Sequence, residues 1–352
     1  DSIFSRNTYK HSPYIIAEIG VNHENSYDTA LKIIDLAKEG GADAVKFQSY
    51  KADLLASKDS PAYWDTNKEE TLNQNELFKK YDSFNEVEYI KLSEYCKKIN
   101  IQFLSTPFDI YSVAYLDPIV PFFKIASADI NNFQLLERIS KTNKPLILST
   151  GASNLDEIDQ AIQVLEKTEK KDICLMHCIL NYPTENINAN LSMIKSLQKK
   201  FPERVVGYSD HTLPDEKMRS IVLAYLLGAT VIEKHFTHDK SLPGNDHYHA
   251  MDFNDLKILR SEINKIEELM GDEDEKKPIP SEELSRLNAR RSIVTNRKLS
   301  KGHVIDEFDI VCKRPGSGIT ANNWYKIIGS QVLNDLPEDY LIKWSDLKIV
   351  GE

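Results

Sequence analysis

The chain has 352 residues, of which 41% are hydrophobic and 28% charged, the composition of an ordinary globular protein. Its net charge of -10 at pH 7 argues against a surface that binds nucleic acid or an anionic membrane. The longest apolar stretch, residues 220–232, is too short to span a bilayer. The four cysteines lack the paired spacing of a zinc ribbon, and Cys174 and Cys178 lie in an apolar run, so we expect these two to be buried free thiols in a cytoplasmic protein.

Short apolar runs alternate with amphipathic helical patterns along residues 14–270. Such alternation predicts parallel strands joined by helical crossovers. Eight such units in this length favour a closed (β/α)8 barrel, the TIM barrel, over an open sheet. The expected strands cover residues 14–20, 44–48, 101–108, 122–127, 145–150, 173–180, 205–211 and 231–237.

Polar residues collect at the carboxyl end of nearly every apolar run. In a (β/α)8 barrel that end carries the active site, so we expect one shared catalytic or binding face. The residues concerned are Glu18, Lys46, Gln48, Thr106, Lys124, Ser127, Thr150, Asp210, His211, Glu233 and His235.

The connection after the second run, residues 51–86, is longer than a usual βα loop and contains Tyr63 and Trp64. Long ordered loops are usually functional, which favours a lid or an interface element. A plain surface excursion is the alternative, and the sequence alone leaves both open.

The composition changes after the eighth helical pattern. Residues 273–288 are charged and contain two prolines, and therefore indicate a linker between a barrel domain over 1–272 and a second domain over 289–352. The second domain has short β-like runs and Gly/Pro turns, which predict a small β-rich fold. Its core is small, so we expect it to dock against a partner or the barrel.

Four of the chain's nine histidines lie between residues 231 and 252. Because side chains alternate along a strand, His235 and His238 point to opposite faces, which argues against a local metal cage. His211 ends the preceding strand, and adjacent strands lie about 4.8 Å apart, so His211 and His235 could bind one ion. Two histidines leave coordination positions for water and substrate, as in a catalytic metal site. Ordinary hydrogen-bonded histidines remain the alternative.

Two lysines, Lys46 and Lys124, lie on strands that form the barrel wall. A phosphate or carboxylate surrounded by lysine, serine and threonine would account for them. Pairing of each lysine with a barrel carboxylate, such as Glu18 or Glu233, is an equally simple reading, and the two do not exclude each other.

An ordered set of motifs runs through nearly the whole chain: "IAEIGVNHENS", "AVKFQ", "LSTPFD", "FKIASADI", "PLILSTGAS", "NYPT", "GYSDHT", "EKHFTHDKSLPGNDH" and "LSKGHVI" followed by "KRPGSG". Together they resemble the bacterial sialic acid (nonulosonate) synthases with a C-terminal antifreeze-like (SAF) domain. The resemblance implies a (β/α)8 barrel that condenses phosphoenolpyruvate with an N-acetylmannosamine-type aldose. The products would be a nine-carbon 2-keto-3-deoxy acid and phosphate.

The resemblance also implies roles for individual residues. His211 and His235 match the metal ligands, with Mn²⁺ the expected ion and Mg²⁺ or Co²⁺ the alternatives, and Glu18 matches a carboxylate that handles a proton or orients water. Arg314 matches an arginine of the SAF domain that enters the partner's site in a domain-swapped homodimer and contacts the N-acyl group. The phosphoenolpyruvate side would comprise Lys46, Thr106, Lys124, Ser127, Asn181 and Ser209, and the sugar side Gln48, Tyr182, Asp246 and Arg314.

The chain departs from the family pattern mainly on the sugar side. Leu180 replaces a small polar residue, for which Asn181 could substitute; the other departures are Asn245, Ala250 and Asp129. The acceptor therefore stays open between N-acetylmannosamine and a di-N-acylated 6-deoxy hexose, and a 6-phosphate is less expected. Rival hypotheses are a shorter-sugar 3-deoxy-ulosonate synthase, a metal-dependent aldolase or lyase, and a barrel that binds without turnover. Ice binding by the tail is disfavoured by its charged residues.

Overall fold

Apolar runs form eight parallel strands in the computed structural model, which describes residues 12–169, 171–244 and 246–349. The chain divides into two units, Asp1–Asp272 and Glu273–Glu352, and the strands belong to the first. They are β1 (Tyr14–Gly20), β2 (Ala44–Ser49), β3 (Gln102–Pro107), β4 (Phe123–Ile125), β5 (Leu146–Ser149), β6 (Ile173–Cys178), β7 (Val205–Asp210) and β8 (Val231–His235).

The strands form one sheet in the order β3-β2-β1-β8-β7-β6-β5-β4. The two terminal strands of this order, β3 and β4, contact each other, so the sheet is a nearly closed barrel. The register places Glu18 of β1 beside Lys46 of β2 on one side and His235 of β8 on the other. The predicted (β/α)8 barrel is thereby confirmed.

The connecting helices begin and end where local chemistry predicts. Ser26, Asn85, Asn154 and Asp252 each accept hydrogen bonds from backbone N–H groups of the first turn, and Gly41 ends the first helix with φ +100°. The helices of this unit are α1 (Tyr27–Gly40), α2 (Ala52–Leu55), α3 (Gln74–Lys80), α4 (Glu86–Lys98), α5 (Ile110–Leu116), α6 (Phe133–Ser140), α7 (Leu155–Leu165), α8 (Met193–Lys200), α9 (Arg219–Leu226) and α10 (Phe253–Met270).

Alternation along the strands divides the barrel interior into an apolar layer and a polar layer. Two residues beyond Ile16, Ala44, Leu104 and Phe122, the same strand faces carry Glu18, Lys46, Thr106 and Lys124. The polar layer therefore lies toward the carboxyl ends of the strands. The apolar layer comprises Ile16, Ala44, Leu104, Phe122, Ile147, Cys174, Met176, Val205 and Val231.

The second unit has its own small core and two antiparallel strand pairs. Strand β9 (Ser292–Thr295) pairs with β10 (Ile310–Lys313), and β11 (Gln331–Val332) pairs with β12 (Leu347–Lys348); a short helix, α12 (Trp324–Ile327), lies between them in sequence. Residues 273–288, predicted as a linker, are exposed throughout and include most of helix α11 (Glu283–Ala289). The core consists of Ile293, Leu299, Ile305, Ile310, Ile319, Ile327, Val332, Leu336, Ile342 and Leu347.

The four cysteines are free thiols, and Cys96, Cys174 and Cys178 are buried, which confirms the prediction for Cys174 and Cys178. Within the described ranges, none of the helices combines the length and the hydropathy needed to cross a membrane.

Candidate active site

A cavity of about 460 Å³ opens at the carboxyl ends of the barrel strands. It is the end at which the sequence places the polar residues, and most of the predicted site residues meet there. Those that line the cavity are Glu18, Lys46, Gln48, Thr106, Lys124, Ser127, Tyr182, Ser209, His211, His235 and Asp246.

A short chain of polar contacts connects β1, β2 and β3 at the floor of the cavity. Lys46 Nζ lies 2.6 Å from Glu18 Oε2 and donates to Thr106 Oγ1 at 2.6 Å. Gln48 Nε2 donates to the other oxygen of Glu18 at 3.1 Å. These contacts hold the Glu18 carboxylate in one orientation on the cavity wall.

Glu233 of β8 forms a second polar centre; the sequence placed it on the expected catalytic face and as a possible partner for the lysines, but gave it no role in the reaction. Its Oε1 lies 3.3 Å from Lys124 Nζ and accepts a hydrogen bond from Ser209 Oγ at 2.9 Å. Its Oε2 lies 3.8 Å from Lys46 Nζ. The strand-end position of Glu233 was visible in the sequence, but its contacts across the barrel were not.

The two carboxylates have opposite pKa shifts although both are buried. Burial raises the pKa of Glu18 to about 7, with Glu233 adding to the rise and Lys46 opposing it. Burial also acts to raise the pKa of Glu233, but Lys124 and Lys46, with the Ser209 hydrogen bond, hold it at about 2. At neutral pH Glu233 is therefore ionised, whereas Glu18 is present in both its ionised and its protonated form.

His211 is held in a defined orientation by the strand next to its own. Its Nδ1 lies 2.8 Å from the carbonyl oxygen of Ile179, and this contact requires a proton on Nδ1. The lone pair is then on Nε2, which is the arrangement of a metal-binding imidazole. The ring also lies 4.2 Å from the Tyr182 ring, centroid to centroid.

His235 lies beside His211, with ring centroids 5.7 Å apart. Burial lowers the pKa of His235 to about 3, so the ring is neutral at pH 7, as a metal ligand must be. Its Nδ1 faces Asp246 Oδ2 at 3.9 Å. Two adjacent imidazoles in one cavity are suitable nitrogen donors for a divalent ion. Within the described part of the chain no three histidine, cysteine or carboxylate groups are arranged to hold an ion, so water and substrate would complete the coordination.

The other histidines of residues 231–252 have different surroundings. His247 lines the cavity; its Nδ1 lies 2.7 Å from Thr237 Oγ1 and its Nε2 3.3 Å from Glu24. His238 is half-buried beside His247 and is not among the lining residues. His249 is completely buried behind Asp246 and His235.

The long connection over residues 51–86 forms one wall of the cavity, so it is not a plain surface excursion. Tyr63 and Trp64 lie on this wall, and the Tyr63 ring stacks edge-on 6.3 Å from that of Tyr182. Helix α3 contributes further apolar contacts. The lining residues from this connection are Leu55, Tyr63, Trp64, Gln74, Leu77, Phe78 and Tyr81.

Four residues predicted for the site do not line the cavity: Thr150, Asn181, Asp210 and Arg314. Asn181 is exposed, and Leu180 lies on the cavity wall in its place; strand alternation no longer determines side-chain direction here because β6 ends at Cys178. Arg314 is exposed and belongs to the second unit.

The remaining departures from the family pattern are divided between the cavity and its surroundings. Asp129 lines the cavity, and burial raises the pKa of its carboxyl group. Ala250 is buried in the loop after β8. Asn245 lies outside the described residues.

Comparisons with known proteins agree with the motifs. The sequence matches the NeuB family over residues 33–275 and the SAF domain over residues 290–348. An uncharacterized protein of Methanocaldococcus jannaschii is 43% identical over 335 residues, covering 95% of this chain and 94% of the relative. An N,N'-diacetyllegionaminic acid synthase of Campylobacter jejuni is 39% identical over 335 residues, covering 94% and 98%.

A solved structure of an N-acetylneuraminic acid synthetase is also similar to this chain. The N-acetylneuraminic acid synthetase of Leptospira borgpetersenii, crystallised with citrate, has a TM-score of 0.68 and 35% identity, and the match covers 78% of this chain and 90% of that one. The chain therefore belongs to the NeuB family and carries a C-terminal SAF domain, which confirms the resemblance found in the sequence.

Proposed function

We propose that this protein is a nonulosonic acid synthase that condenses phosphoenolpyruvate with an N-acylated aldose in a metal-dependent reaction. The products are a nine-carbon 2-keto-3-deoxy acid and inorganic phosphate. One observation carries the proposal: the Glu18–Lys46 and Glu233–Lys124 pairs lie in the same cavity as the paired imidazoles of His211 and His235. The names of its NeuB-family relatives, sialic acid and legionaminic acid synthases, support it.

Phosphoenolpyruvate is assigned to the floor of the cavity. Lys46 and Lys124 supply two ammonium groups against the two carboxylates of Glu18 and Glu233, so the cluster is neutral when both are ionised. Because the pKa of Glu18 is about 7, its protonation near neutral pH gives the cluster a net positive charge, which favours an anion. Thr106, Ser127 and Ser209 supply hydroxyl groups beside it.

His211 and His235 are the residues proposed to hold Mn²⁺, with Mg²⁺ or Co²⁺ as alternatives. Nδ1 of each ring faces an oxygen, Ile179 O for His211 and Asp246 Oδ2 for His235, which leaves Nε2 for the ion. When bound, the ion supplies Lewis acidity that polarises the aldehyde oxygen of the aldose.

The reaction then needs one bond formed between carbons and one bond broken to phosphate. Lys46 and Lys124 hold phosphoenolpyruvate so that its C3 faces the aldehyde carbon. The C2=C3 π pair forms the new C–C bond, and the C=O π pair moves onto the aldehyde oxygen, which becomes a hydroxyl group with the proton that Glu18 takes from the attacking water. A water oxygen adds to C2, and Glu18 orients that water and accepts its proton. The C2–O bond to phosphate breaks as the ketone forms, and phosphate leaves with its electron pair.

The acceptor is proposed to be an aldose without a phosphate group. In the described lining, Lys46 and Lys124 supply the ammonium groups, and both are already paired with carboxylates. Gln48, Tyr182 and Asp246 offer polar contacts for hydroxyl and amide groups. A di-N-acylated 6-deoxy hexose is favoured by the legionaminic acid synthase relative and by the apolar wall of residues 51–86; N-acetylmannosamine is the second candidate.

We also propose a homodimer, domain-swapped through the SAF domain, in which Arg314 enters the partner's cavity and contacts the N-acyl group. The exposure of Arg314 and the family's SAF domain support this arrangement.

The decisive experiment incubates the protein with phosphoenolpyruvate, Mn²⁺ and a panel of aldoses while phosphate release is followed. The panel contains N-acetylmannosamine, its 6-phosphate, a 2,4-diacetamido-6-deoxy hexose and arabinose 5-phosphate. We expect release with one of the two unphosphorylated aminosugars and a product whose mass is the sum of both substrates and water minus phosphoric acid. Reactions without aldose, or with EDTA, are the controls. Absence of release with every aldose, in protein that binds Mn²⁺, would overturn the synthase proposal.

A further inference from the structure

His249 is a buried histidine for which the proposed reaction has no role. Its side chain is 0% exposed and does not line the cavity. Among the residues that the structure describes, neither ring nitrogen has a hydrogen-bond partner. A buried imidazole must carry at least one N–H group, and an unsatisfied buried donor costs free energy. A partner close to the ring would remove this cost.

The nearest such partner is Asp246, whose carboxylate lies between two imidazoles. Asp246 Oδ1 is 3.6 Å from His249 Nε2, and Asp246 Oδ2 is 3.9 Å from His235 Nδ1. Each separation exceeds a hydrogen bond by less than 1 Å. The His249 ring also packs edge-on against His235, with centroids 5.1 Å apart.

The backbone keeps these three residues together. The loop that carries Asp246 and His249 returns to the end of β8, where Met251 N–H donates to the His235 carbonyl oxygen at 2.8 Å. Asn22 Nδ2 donates to the Asp246 carbonyl oxygen at 3.3 Å. Small rearrangements of the side chains, without movement of the strand, would close both gaps.

We propose that His249 is a positioning residue for the metal site, acting through Asp246 on His235. This inference rests on the proposed function, since it takes His235 as a ligand of the divalent ion. His249 donates from Nε2 to Asp246 Oδ1, and Asp246 Oδ2 accepts from His235 Nδ1. The proton on Nδ1 leaves the lone pair of His235 on Nε2, directed to the ion. Outer partners of this kind orient metal-bound histidines and raise their basicity.

His211 needs no such partner, because a backbone carbonyl at Ile179 already holds its Nδ1. The two proposed ligands therefore have different supports. His211 depends on the main chain, which substitution cannot remove, whereas His235 depends on two side chains, Asp246 and His249.

The test measures Mn²⁺ affinity by titration calorimetry and by the electron paramagnetic resonance of free Mn²⁺, without substrates. His249→Phe fills the space but removes both nitrogens, and His249→Gln keeps an N–H donor. We expect His249→Phe to weaken Mn²⁺ binding about 10- to 100-fold, with His249→Gln intermediate. Asp246→Asn should weaken Mn²⁺ binding by a similar factor. Because His249 acts through Asp246, the double variant should lose no more Mn²⁺ affinity than the weaker-binding single variant.

Thermal unfolding of each metal-free variant identifies any variant that fails to fold. If His249→Phe fails, the Mn²⁺ affinities of His249→Gln and Asp246→Asn provide the test instead. Wild-type Mn²⁺ affinity in folded His249→Phe, or full additivity in the double variant, would overturn the inference alone. So would unchanged Mn²⁺ affinity in Asp246→Asn, since Asp246 would then serve the sugar alone. Unchanged Mn²⁺ binding in His235→Ala would instead remove the proposed metal site itself.

Discussion

Oε2 of Glu18 and Nζ of Lys46 lie 2.6 Å apart on neighbouring strands at the carboxyl end of the barrel, and both side chains are almost completely buried. The strand register places these two residues opposite each other, so the pair is built into the sheet. A carboxylate placed there is poised between its ionised and neutral forms, because burial favours the neutral form and Lys46 favours the ionised one.

The first prediction follows from this balance. Burial raises the pKa of Glu18 to about 7, so the ionised form that accepts a proton predominates only above that pH. We expect kcat to fall as the pH drops through about 7. Glu18→Gln should lower kcat by roughly 10²- to 10⁴-fold and abolish the inflection. A Glu18→Gln enzyme that keeps the wild-type pH profile would show that another group titrates.

Lys124 tests the proposed phosphoenolpyruvate site. Lys124→Met removes the cation 3.3 Å from Glu233 and one of two ammonium groups in the cavity. We expect the KM for phosphoenolpyruvate to rise at least about tenfold, the loss of one charge-assisted hydrogen bond, with a smaller change for the aldose. The matched control is Lys171→Met: Lys171 is equally buried, but its Nζ contacts Thr142 and Glu169 away from the cavity. A rise in the KM for phosphoenolpyruvate in the control as well would indicate general damage.

The metal ligands are tested by two histidines three residues apart, of which His235 lines the cavity and His238 does not. His235→Ala should abolish turnover and Mn²⁺ binding, because it removes one of two proposed ligands. His238→Ala should keep both, since His238 is half-buried and does not line the cavity. Calorimetric titration with Mn²⁺ and the phosphate assay report the two properties separately. Loss of the ion in His238→Ala would restore the local cage that strand alternation argues against.

Much of this site could be predicted from the sequence because two regularities determine it. Alternation along strands places Glu18 and Lys46 two residues beyond apolar positions, and parallel pairing brings the carboxyl ends of the strands together. Side-chain positions beyond the strand ends follow no such period. Leu180, and not the predicted Asn181, lies on the cavity wall, and His249 is buried behind His235. Both positions depend on loop paths that only the structure supplies.

A buried ion pair joins the ends of β7 and β8, one residue before each of the two histidines. Lys234 Nζ lies 2.8 Å from Asp210 Oδ2, and both side chains are at most 1% exposed. Lys234→Met leaves a buried carboxylate without its cation, so we expect a loss of about 3–5 kcal/mol in the free energy of unfolding, measured in urea at pH 7. The exposed pair of Lys167 and Glu137 is the control, and Lys167→Met should cost no more than about 1 kcal/mol.

The pH dependence of that loss has a defined sign. Burial acts to raise the pKa of Asp210, but Lys234 and the hydrogen bonds from Thr212 outweigh it, so the pKa is lowered below 3.8. A carboxylate with a lowered pKa contributes stability above its ordinary pKa and loses it as the pH falls toward the folded-state value. The difference between wild type and Lys234→Met should therefore shrink as the pH falls below about 4. A difference that stays constant to pH 3 would contradict the ion-pair origin.

The last prediction tests whether Arg314 contacts the substrate in the cavity of the partner chain or in the cavity of its own chain. Arg314→Ala alone should raise the KM for the acylated aldose more than that for phosphoenolpyruvate. His235→Ala alone should be inactive. When the two variants are co-expressed, a swapped dimer contains one complete cavity, built from the barrel of the Arg314→Ala chain and the arginine of the His235→Ala chain. We expect low-KM activity in the purified mixed dimer, up to half that of wild type. If Arg314 acts within its own chain, the mixed dimer has no complete cavity and retains only the high-KM activity of Arg314→Ala, an outcome that kinetics on the mixed dimer distinguishes directly.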